Sequence, residues 1–444
     1  MCRGFSASAL RAIDRFPSQA TRNLSRERAH ARFPGLMRYA EAIEYLYKLQ
    51  KFGARFGLET TRRLAAMAGN PHERLRFIHV AGTNGKGSTC AMLEAIYRQS
   101  GYKVGLFTSP HLVSFAERIQ INRELIPERE VARLTEEVRG YIEQIGSATL
   151  FEAVAIIALR WFDEQKADLV IWETGLGGRL DSTNIVTPLA SVITNIQRDH
   201  EKWLGHTLAE IAREKAGIIK PGVPVFTGVE GDEAFNVIRA VAAENSAPLH
   251  CGARVDPDME LSLQGDHQLK NAAVALATVA GLQNILPTRA EGTALKSVTW
   301  AGRFDIRGRF ILDGAHNPDD ARALREALQQ RFPGGKHNFV VGILADKDIA
   351  AMAREIAQVA GSVITVSAQS DRAADADTLA QAFRAVAPEL PVQTATSLAA
   401  ALEQSGPGRV VITGSLHFIG EAMELLHLEA GRDERALNDW NKGP

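Results

Sequence analysis

A glycine-rich loop between an apolar run and a helix pattern constrains the fold of this chain more than any other feature. Phe77–Ala81 is short, apolar and rich in β-branched residues, Gly82–Gly87 carries three glycines around Lys86, and helical periodicity begins after Thr89. A strand, a glycine turn and a helix form the setting of a phosphate-binding loop, because glycines let backbone N–H groups approach an anion and the helix N-terminus is partly positive. The pattern predicts a nucleotide site in which Lys86 supplies a charge and Ser88 or Thr89 a hydroxyl near Mg²⁺.

The match to the standard phosphate-loop motif is imperfect. G-x-x-x-x-G-K-[ST] needs glycine at 80 and a hydroxyl at 87, where this chain has Val80 and Gly87. A glycine-rich turn with a solvated lysine is therefore the alternative interpretation. Two glycines that bracket Lys86, between a strand and a helix, favour the phosphate loop.

Length and composition indicate an ordinary globular enzyme of two domains. The chain has 444 residues, more than one hydrophobic core usually covers, and it is 45% hydrophobic and 23% charged. Its net charge of −1 gives no reason to expect binding to nucleic acid or to a membrane surface, and its apolar runs are only strand-sized. The three cysteines are far apart, so neither a metal motif nor a disulfide framework is expected, which suits a reducing, cytoplasmic setting.

Residues 1–36 differ from the rest of the chain. They are rich in arginine and contain no lysine, a composition that resembles a transit peptide. They lack an amphipathic stripe, however, and helical periodicity begins only at Tyr39. We therefore interpret this extension as a disordered leader, or as sequence upstream of a start at Met37, without a role in the chemistry.

Strands and helices alternate along the remainder of the chain, which predicts the α/β class. Residues 37–299 are interpreted as a P-loop-type ATPase domain with a doubly wound parallel sheet, and residues 300–444 as a smaller Rossmann-like α/β domain. Sheets of this kind bind ligands at the carboxyl ends of their strands. Three polar segments follow predicted strands of the first domain and are expected at one edge of its sheet. They are Gly82–Thr89, Thr108–Leu112 and Glu173–Asn184.

Three ionisable residues of the first domain are candidates for chemistry. Glu173 ends an apolar strand, where a carboxylate is costly to bury unless it binds a metal or is paired; a helix cap or a structural ion pair is the alternative. His200 could bind a metal or act as a general base, but a lone histidine is more often a satisfied polar residue. Spacing alone places Lys215 on the solvated surface at a helix end.

One turn of the second domain also carries candidate residues. Asp313 and His316 lie between a predicted strand and a predicted helix, in a turn that could face the first domain. Turn formation is the alternative for Asp313, and capping of the following helix is a strong alternative for Asn317.

Eight motifs follow one another along the chain. They are Gly82–Ser88, Ser109–Leu112, the run from Glu173 to Asp181, Asp199-His200, Arg213–Gly217, the run from His267 to Ala273, Gly302–Phe304 and Asp313–Pro318. Over residues 37–430 this ordered set resembles the folylpolyglutamate synthase/dihydrofolate synthase family, within the larger Mur ligase group. Ala301, where the family often has proline, and His417, after a Gly-Ser pair, depart from the family pattern without touching the phosphate chemistry.

The resemblance implies a site between two domains for ATP, Mg²⁺ and a pterin-bearing substrate. The residues it implies for ATP are Asn84, Gly85, Lys86, Gly87, Ser88, Asn271, Arg303 and Asp313. Those implied for Mg²⁺ are Ser109, Glu173 and His200. Those implied for the pterin-bearing substrate are Thr149, Leu150, Phe151, Glu152 and Leu180. Lys86, Lys215 and His316 are the implied catalytic residues, and Lys215 matches a carbamylated lysine of the family. A stacking role for Phe151 has a structural alternative, which is a core position at a helix start.

The implied reaction is ATP-dependent amide-bond formation through an acyl phosphate, with L-glutamate as the incoming amine. Dihydropteroate and reduced folates are the two acceptors considered, and one site could serve both. The alternatives are a Mur-type ligase that acts on a UDP-sugar peptide and a non-catalytic ATP-binding switch. The family further implies a monomer.

Overall fold

The computed structural model describes residues 37–50, 57–229, 231, 233–252, 259–428 and 434–438. The extension interpreted at 1–36 lies outside the described residues. From residue 38 onward the chain belongs to one compact unit. In the described part of the chain, no helix is both long enough and apolar enough to span a membrane.

The first of two sheets has eight strands. They are β1 (Phe77–Ala81), β2 (Val104–Phe107), β3 (Ile119–Ile121), β4 (Glu124–Leu125), β5 (Leu169–Glu173), β6 (Ala190–Ile193), β7 (Val225–Thr227) and β8 (Leu249–Cys251). Their order across the sheet is β4-β3-β2-β5-β1-β6-β7-β8. The six strands from β2 to β8 in this order are parallel, and β3 and β4 add an antiparallel edge. The sheet is therefore dominated by parallel pairs, as predicted; strands of three and two residues are too short to show a periodic pattern in the sequence.

Helices cover both faces of this sheet. They are α1 (Tyr39–Gln50), α2 (Glu59–Met67), α3 (Lys86–Gln99), α4 (Glu128–Ile145), α5 (Leu150–Glu164), α6 (Glu201–Leu204), α7 (Leu208–Ala216), α8 (Glu233–Glu244), α9 (Asp266–Gly281) and α10 (Glu291–Leu295). The apolar side of α5 joins Phe77, Phe107 and Trp172 in one cluster, whereas α3 and α9 enclose Ile78 and Val80 on the opposite face. The described residues from 38 to 295 are called the first lobe below.

The second sheet has six strands. They are β9 (Asp305–Arg307), β10 (Phe310–Asp313), β11 (His337–Val341), β12 (Ala360–Val366), β13 (Val392–Ala395) and β14 (Val410–Thr413), in the order β13-β12-β11-β14-β10-β9. All pairs are parallel except the one between β10 and the edge strand β9. Its helices are α11 (Pro318–Arg331), α12 (Ile349–Ala357), α13 (Ala376–Val386), α14 (Leu398–Gln404) and α15 (Leu416–Leu425). The described residues from 305 to 428 are called the second lobe.

The two lobes share apolar contacts. Leu112 and Val113, which follow β2 of the first lobe, belong to the same buried cluster as Leu312, Phe418 and Ile419 of the second. Because both sheets present carboxyl strand ends near this contact, the loops that follow those strands enclose a common space.

Local capping fixes where helices begin beside that space. Thr149 and Glu152 form a reciprocal capping box at the start of α5, and the Ser415 side chain accepts from Phe418 N at the start of α15. Asn317 Oδ1 accepts from Asp320 N, so the prediction that Asn317 caps a helix is confirmed.

Candidate active site

A cavity of about 270 Å³ lies between the two lobes. Loops after β1, β2, β5 and β6 line it from the first lobe, and loops after β10, β11 and β14 line it from the second. Most residues singled out from the sequence meet here. The lining includes Asn84, Gly85, Lys86, Gly87, Ser109, Thr149, Leu150, Phe151, Glu173, Leu180, His200, Lys215, Arg303 and His316. Four further candidates are buried without belonging to this lining, and these are Ser88, Glu152, Asn271 and Asp313.

The loop after β1 is held in one shape by its surroundings. A Cβ at Gly82 would lie 1.8 Å from Thr194 Oγ1, and one at Gly85, whose φ is +78°, would lie 2.2 Å from Asn271 Oδ1. The Thr194 hydroxyl donates to Asn84 O at 2.7 Å. Any side chain at 82 or 85 would therefore clash with its neighbours, so both positions must be glycine. At 85 the left-handed backbone is a second reason. The loop ends at the N-terminus of α3, where unpaired N–H groups favour an anion.

The structure also explains why the loop has Gly87 where a hydroxyl is usual. A Cβ at this position would lie 2.9 Å from Trp300 Nε1 and 3.1 Å from two carbons of the same indole ring. Trp300 lies in the connection between the lobes, where the Arg123 guanidinium stacks on it at 5.2 Å from the ring centroid. Glycine at 87 thus lets the interlobe connection pack directly against the loop. Ser88, the next residue, is buried, and its hydroxyl oxygen accepts from Gln268 Nε2 at 3.3 Å.

Two lysines converge on one carbonyl of this loop. Lys86 Nζ donates to Gly82 O and to Thr83 O, both at 3.0 Å, and Lys215 Nζ donates to Gly82 O at 2.9 Å. Lys215 is only 4% exposed, so its interpretation as solvated surface from spacing alone is wrong. Burial lowers the pKa of Lys215 to about 7, and the charge of Lys86 adds to this effect.

Glu173 lies beside the phosphate loop at the end of β5. It pairs with Val80 of β1 in the parallel ladder, and its Oε2 accepts from Ser109 N at 2.9 Å. Burial raises the pKa of Glu173 to about 7, although Lys86 and the Ser109 hydrogen bond oppose this rise. Because its pKa is raised, the Glu173 carboxyl is only partly ionised near pH 7. A further cation bound beside it would favour the fully ionised carboxylate.

His200 and Asp199 follow β6 on the other side of the loop. His200 has a left-handed backbone with φ 53°, and burial lowers its pKa to about 3, so the imidazole is neutral. Burial opposes ionisation of Asp199, yet His200 and Lys347 outweigh it and lower the pKa of Asp199. Within the described ranges, no three His, Cys, Asp or Glu side chains are grouped so that they could hold a metal by themselves.

Polar contacts connect the lobes across the cavity. Asp199 Oδ1 pairs with Lys347 Nζ of the second lobe at 2.7 Å, and its Oδ2 lies 3.7 Å from His316 Nε2. The phosphate loop makes a second contact, in which Asn317 Nδ2 donates to Asn84 Oδ1 at 3.1 Å. The loop that would hold phosphates is therefore in direct contact with the second lobe.

The turn after β10 places an acid and a histidine at this interface. Asp313 accepts from Phe304 N at 2.8 Å and from Ala315 N at 2.9 Å, and burial raises its pKa to about 6. His316 Nδ1 lies 2.9 Å from Gly314 O and 3.1 Å from Asp320 Oδ2. Two acceptors at Nδ1 fix the proton there, which leaves the lone pair on Nε2, the nitrogen that faces Asp199.

Apolar side chains form part of the cavity wall. Phe151 lies in the first turn of α5, and a Cβ at Gly175 would lie only 2.5 Å from its ring. Leu150, Leu180 and Gln50 also line the cavity. The Glu152 carboxylate instead accepts from Thr149 N at 2.7 Å, so it caps the helix that presents Phe151.

Five polar or charged lining residues were missed by reasoning from the sequence, and these are Gln50, Arg118, Lys347, Arg372 and Asn438. None of them belongs to a glycine turn or ends a predicted strand, so no local pattern distinguishes them. Asp181 ends the motif that begins at Glu173, and the sequence indicates no role for it. Its carboxylate accepts from the backbone N–H groups of Gly175, Leu176 and Thr183, and so shapes the glycine-rich turn after β5.

Comparison with known proteins supports the same interpretation. Residues 80–250 match the Mur ligase middle domain, and residues 302–416 match the Mur ligase glutamate ligase domain. The chain is 35% identical to the dihydrofolate synthase/folylpolyglutamate synthase of Bacillus subtilis, over 87% of this chain and 99% of that protein. The chain belongs to the folylpolyglutamate synthase/dihydrofolate synthase family of Mur ligases.

Other members of this family extend the comparison. A probable bifunctional folylpolyglutamate synthase/dihydropteroate synthase of Haloferax volcanii is 34% identical over 87% of this chain. The match covers 50% of that longer protein. A bifunctional folylpolyglutamate synthase/dihydrofolate synthase from Yersinia pestis, solved with AMPPNP and a Mn ion, superposes with a TM-score of 0.79. It is 32% identical and covers 88% of this chain and 98% of its own.

Proposed function

We propose that this chain is an ATP-dependent, ADP-forming ligase that joins L-glutamate to a pterin-linked carboxylate, either dihydropteroate, a reduced folate or both. One observation carries the proposal: a phosphate-type loop, a buried carboxylate at Glu173 and the His316 turn of the second lobe line a single cavity. The names of its relatives in Bacillus subtilis and Yersinia pestis support the choice of substrates.

The triphosphate of ATP would bind at the loop after β1. Backbone N–H groups of Gly85 and Gly87 lie at the start of α3, and Lys86 adds an ammonium. Asn84 precedes them, with its own N–H donated to Asn195 Oδ1 at 2.8 Å. Asn271 fixes the space beside Gly85, while Arg303 and Asp313 lie on the connection and turn of the second lobe. We therefore assign these residues to nucleotide binding.

The residues present fit a magnesium ion. Glu173 is a buried carboxylate whose pKa burial raises to about 7, and Ser109 and His200 also line the cavity. Mg²⁺ is usually held by one or two carboxylates together with substrate phosphates, so a full protein cage is not required. When bound, the ion would neutralise charge on the transferring phosphoryl group.

Lys215 is suited to carbamylation. A lysine with a pKa of about 7 has a neutral amine available near pH 7, and a neutral amine is what adds CO₂. The product would be a carboxylate close to Lys86 and to the carbonyl of Gly82. We propose that this added negative charge orients the cations around the triphosphate.

The chemistry would proceed in two displacements. A carboxylate oxygen of the pterin substrate attacks the γ-phosphorus of ATP, the bond to the bridging oxygen breaks, and ADP leaves with that electron pair. The nitrogen of glutamate then attacks the carbonyl carbon of the acyl phosphate, and orthophosphate leaves as the C–N bond forms. Lys86 stabilises the charge of the first displacement.

His316 is proposed as the base of the second displacement. The glutamate ammonium must lose a proton before its nitrogen can attack, and the lone pair on His316 Nε2 faces the cavity region near Asp199. Burial lowers the pKa of His316, which keeps the ring neutral and able to accept that proton. The interlobe contacts through Lys347 and Asn317 would exclude water, which would otherwise hydrolyse the acyl phosphate.

The apolar part of the cavity wall would hold the pterin. Phe151 offers a flat ring for stacking, Leu150 and Leu180 complete an apolar wall, and the capping box of Thr149 and Glu152 fixes the helix start that carries them. We assign these five residues to the pterin site. Glu152 would act indirectly, by capping the helix that carries Phe151.

ADP release, measured with ATP, Mg²⁺ and glutamate, tests the proposal. Turnover with dihydropteroate and with tetrahydrofolate would indicate a bifunctional enzyme, and turnover with one of them a specialised synthase. Lys86→Ala should abolish glutamate-dependent turnover while keeping the fold, whereas Lys296→Ala, a surface change just after the first lobe, should leave turnover intact. Turnover with a UDP-muramoyl peptide instead, or ATP hydrolysis indifferent to glutamate, would refute the proposal.

A further inference from the structure

The C-terminal segment Glu434–Asn438 connects both lobes beside the cavity. Arg435 pairs with Glu424 of α15 and donates to Gln369 Oε1 at 3.3 Å, which anchors the segment to the second lobe. Glu434 and Asn438 hydrogen-bond to residues of the first lobe, and Leu437 belongs to its apolar cluster. Leu437 and Asn438 also line the cavity.

Glu434 holds the loop that begins at Ser109. Its Oε2 accepts from Phe115 N at 2.6 Å and from the Tyr39 hydroxyl at 2.9 Å, and its backbone carbonyl accepts from His111 Nε2 at 3.0 Å. This last bond places the imidazole proton of His111 on Nε2. Nδ1 therefore carries the lone pair, on the side of the ring that faces Arg118.

That lone pair and Asn438 together orient Arg118. Arg118 Nε donates to His111 Nδ1 at 2.8 Å, and its Nη2 donates to Asn438 Oδ1 at 2.6 Å. Asn438 Nδ2 in turn donates to His111 O at 2.8 Å, which closes a small ring of hydrogen bonds. Both side-chain acceptors are neutral, so they position the guanidinium without cancelling its charge.

Arg118 is an unusual cation for a cavity wall. It is 5% exposed, and burial lowers its pKa to about 10, which still leaves it protonated at neutral pH. The carboxylates of Glu117 and Glu173 act on it at longer range. A buried guanidinium held by neutral partners attracts a carboxylate strongly, because water screens little of its charge.

Leu437 gives the segment an apolar function as well. Its side chain is 1% exposed and belongs to the apolar cluster that contains Leu46, Leu49 and Leu150. Since Leu150 and Leu437 also line the cavity, and Phe151 packs against the same cluster, the segment adds to the apolar wall at the start of α5.

We propose that Glu434–Asn438 is a positioning element of the pterin-substrate site, in which Leu437 forms part of the wall and Asn438 holds Arg118 ready for the substrate carboxylate. This inference rests on the function proposed above. Asn438 is a positioning residue, because it acts through Arg118, while Arg118 would contact the substrate itself.

The test compares Asn438→Ala with Asn438→Asp in the full-length chain. Loss of one charge-assisted hydrogen bond should raise KM for dihydropteroate or tetrahydrofolate about tenfold, with KM for ATP changed less than about twofold. Asn438→Asp keeps an acceptor for Arg118 but adds a negative charge, so it should raise that KM further. A purely structural role predicts the reverse order, since an ion pair with Arg118 would restore the fold.

Asn338→Ala is the matched control. Asn338 also makes two side-chain hydrogen bonds, to Ser405 O at 3.1 Å and from the Ser362 hydroxyl at 2.9 Å, but it lies on β11 away from the cavity lining. It should change the melting temperature without changing either KM. If Asn438→Ala does not fold, Leu437→Val gives the same readout, with a smaller rise of about threefold in the pterin-substrate KM alone.

The outcomes separate the two proposals. Wild-type protein that turns over neither pterin substrate refutes the proposed function itself. Wild-type turnover together with unchanged pterin-substrate KM in the Asn438 and Leu437 variants overturns only the role of the segment. An equal rise in both KM values, in step with the melting temperature, also overturns it.

Discussion

Replacing Gly87 with alanine would test whether the interlobe connection dictates the sequence of the phosphate loop. The added Cβ would lie 2.9 Å from Trp300 Nε1 and 3.1 Å from Cε2 and Cζ2. Favourable contacts between such atoms lie near 3.5–4.0 Å, so the indole would have to shift by roughly half an ångström or more. Overpacking of this kind destabilises by about 1–3 kcal/mol, whereas alanine for glycine in a helix returns up to about 1 kcal/mol. We therefore expect a net loss of up to about 2 kcal/mol.

Urea unfolding and ADP release would measure this effect in a double-mutant cycle. If the ring is the cause, Gly87→Ala should be destabilising in the wild type but neutral or stabilising in a Trp300→Ala background, a coupling that such cycles resolve. Gly140→Ala on α4 is the matched control, because no atom lies within 4 Å of its added Cβ, and it should stabilise by up to about 1 kcal/mol. An equal penalty for Gly87→Ala in both backgrounds would refute the reasoning.

Two further predictions concern buried charges. Because the pKa of Lys215 is about 7 when folded and near 10.5 when unfolded, the unfolded chain binds more protons at this residue between those pH values. Stability in CO₂-free buffer should therefore rise with pH across that window, and Lys215→Met should remove the rise; an unchanged profile would contradict the assigned burial. Lys347→Met should destabilise by on the order of 3 kcal/mol, since it leaves Asp199 buried without its cation. Chemical denaturation should show a smaller loss when Asp199→Asn is added, and an additive loss would argue against the pair.

Local signals explain which features could be predicted from the sequence. The strand, loop and helix around Lys86 carry their own glycine and periodicity pattern, and Glu173 is recognisable because an acid ends an apolar strand. Asn317 is likewise a local cap. Each of these depends on residues a few positions apart, so the physical cause can be read directly from the chain.

The remaining features depend on contacts between distant parts of the chain. Lys215 lies 133 positions from the Gly82 carbonyl that it contacts, and Asn438 lies 320 positions from Arg118. Neither residue stands in a distinctive local pattern, so reasoning from spacing placed Lys215 at the surface and gave Asn438 no role. The family resemblance identified Lys215 where spacing could not.

The hydrogen bonds of Lys86 have a consequence for selectivity among anions. Because its ammonium donates to the carbonyls of Gly82 and Thr83, an anion must compete with the loop's own backbone for this cation. A single orthophosphate or sulfate exchanges one set of hydrogen bonds for another and gains little. A triphosphate can displace the lysine and also reach the N–H groups at the start of α3. The Gly82 carbonyl also accepts from Lys215 Nζ, so it has a second donor when Lys86 leaves it.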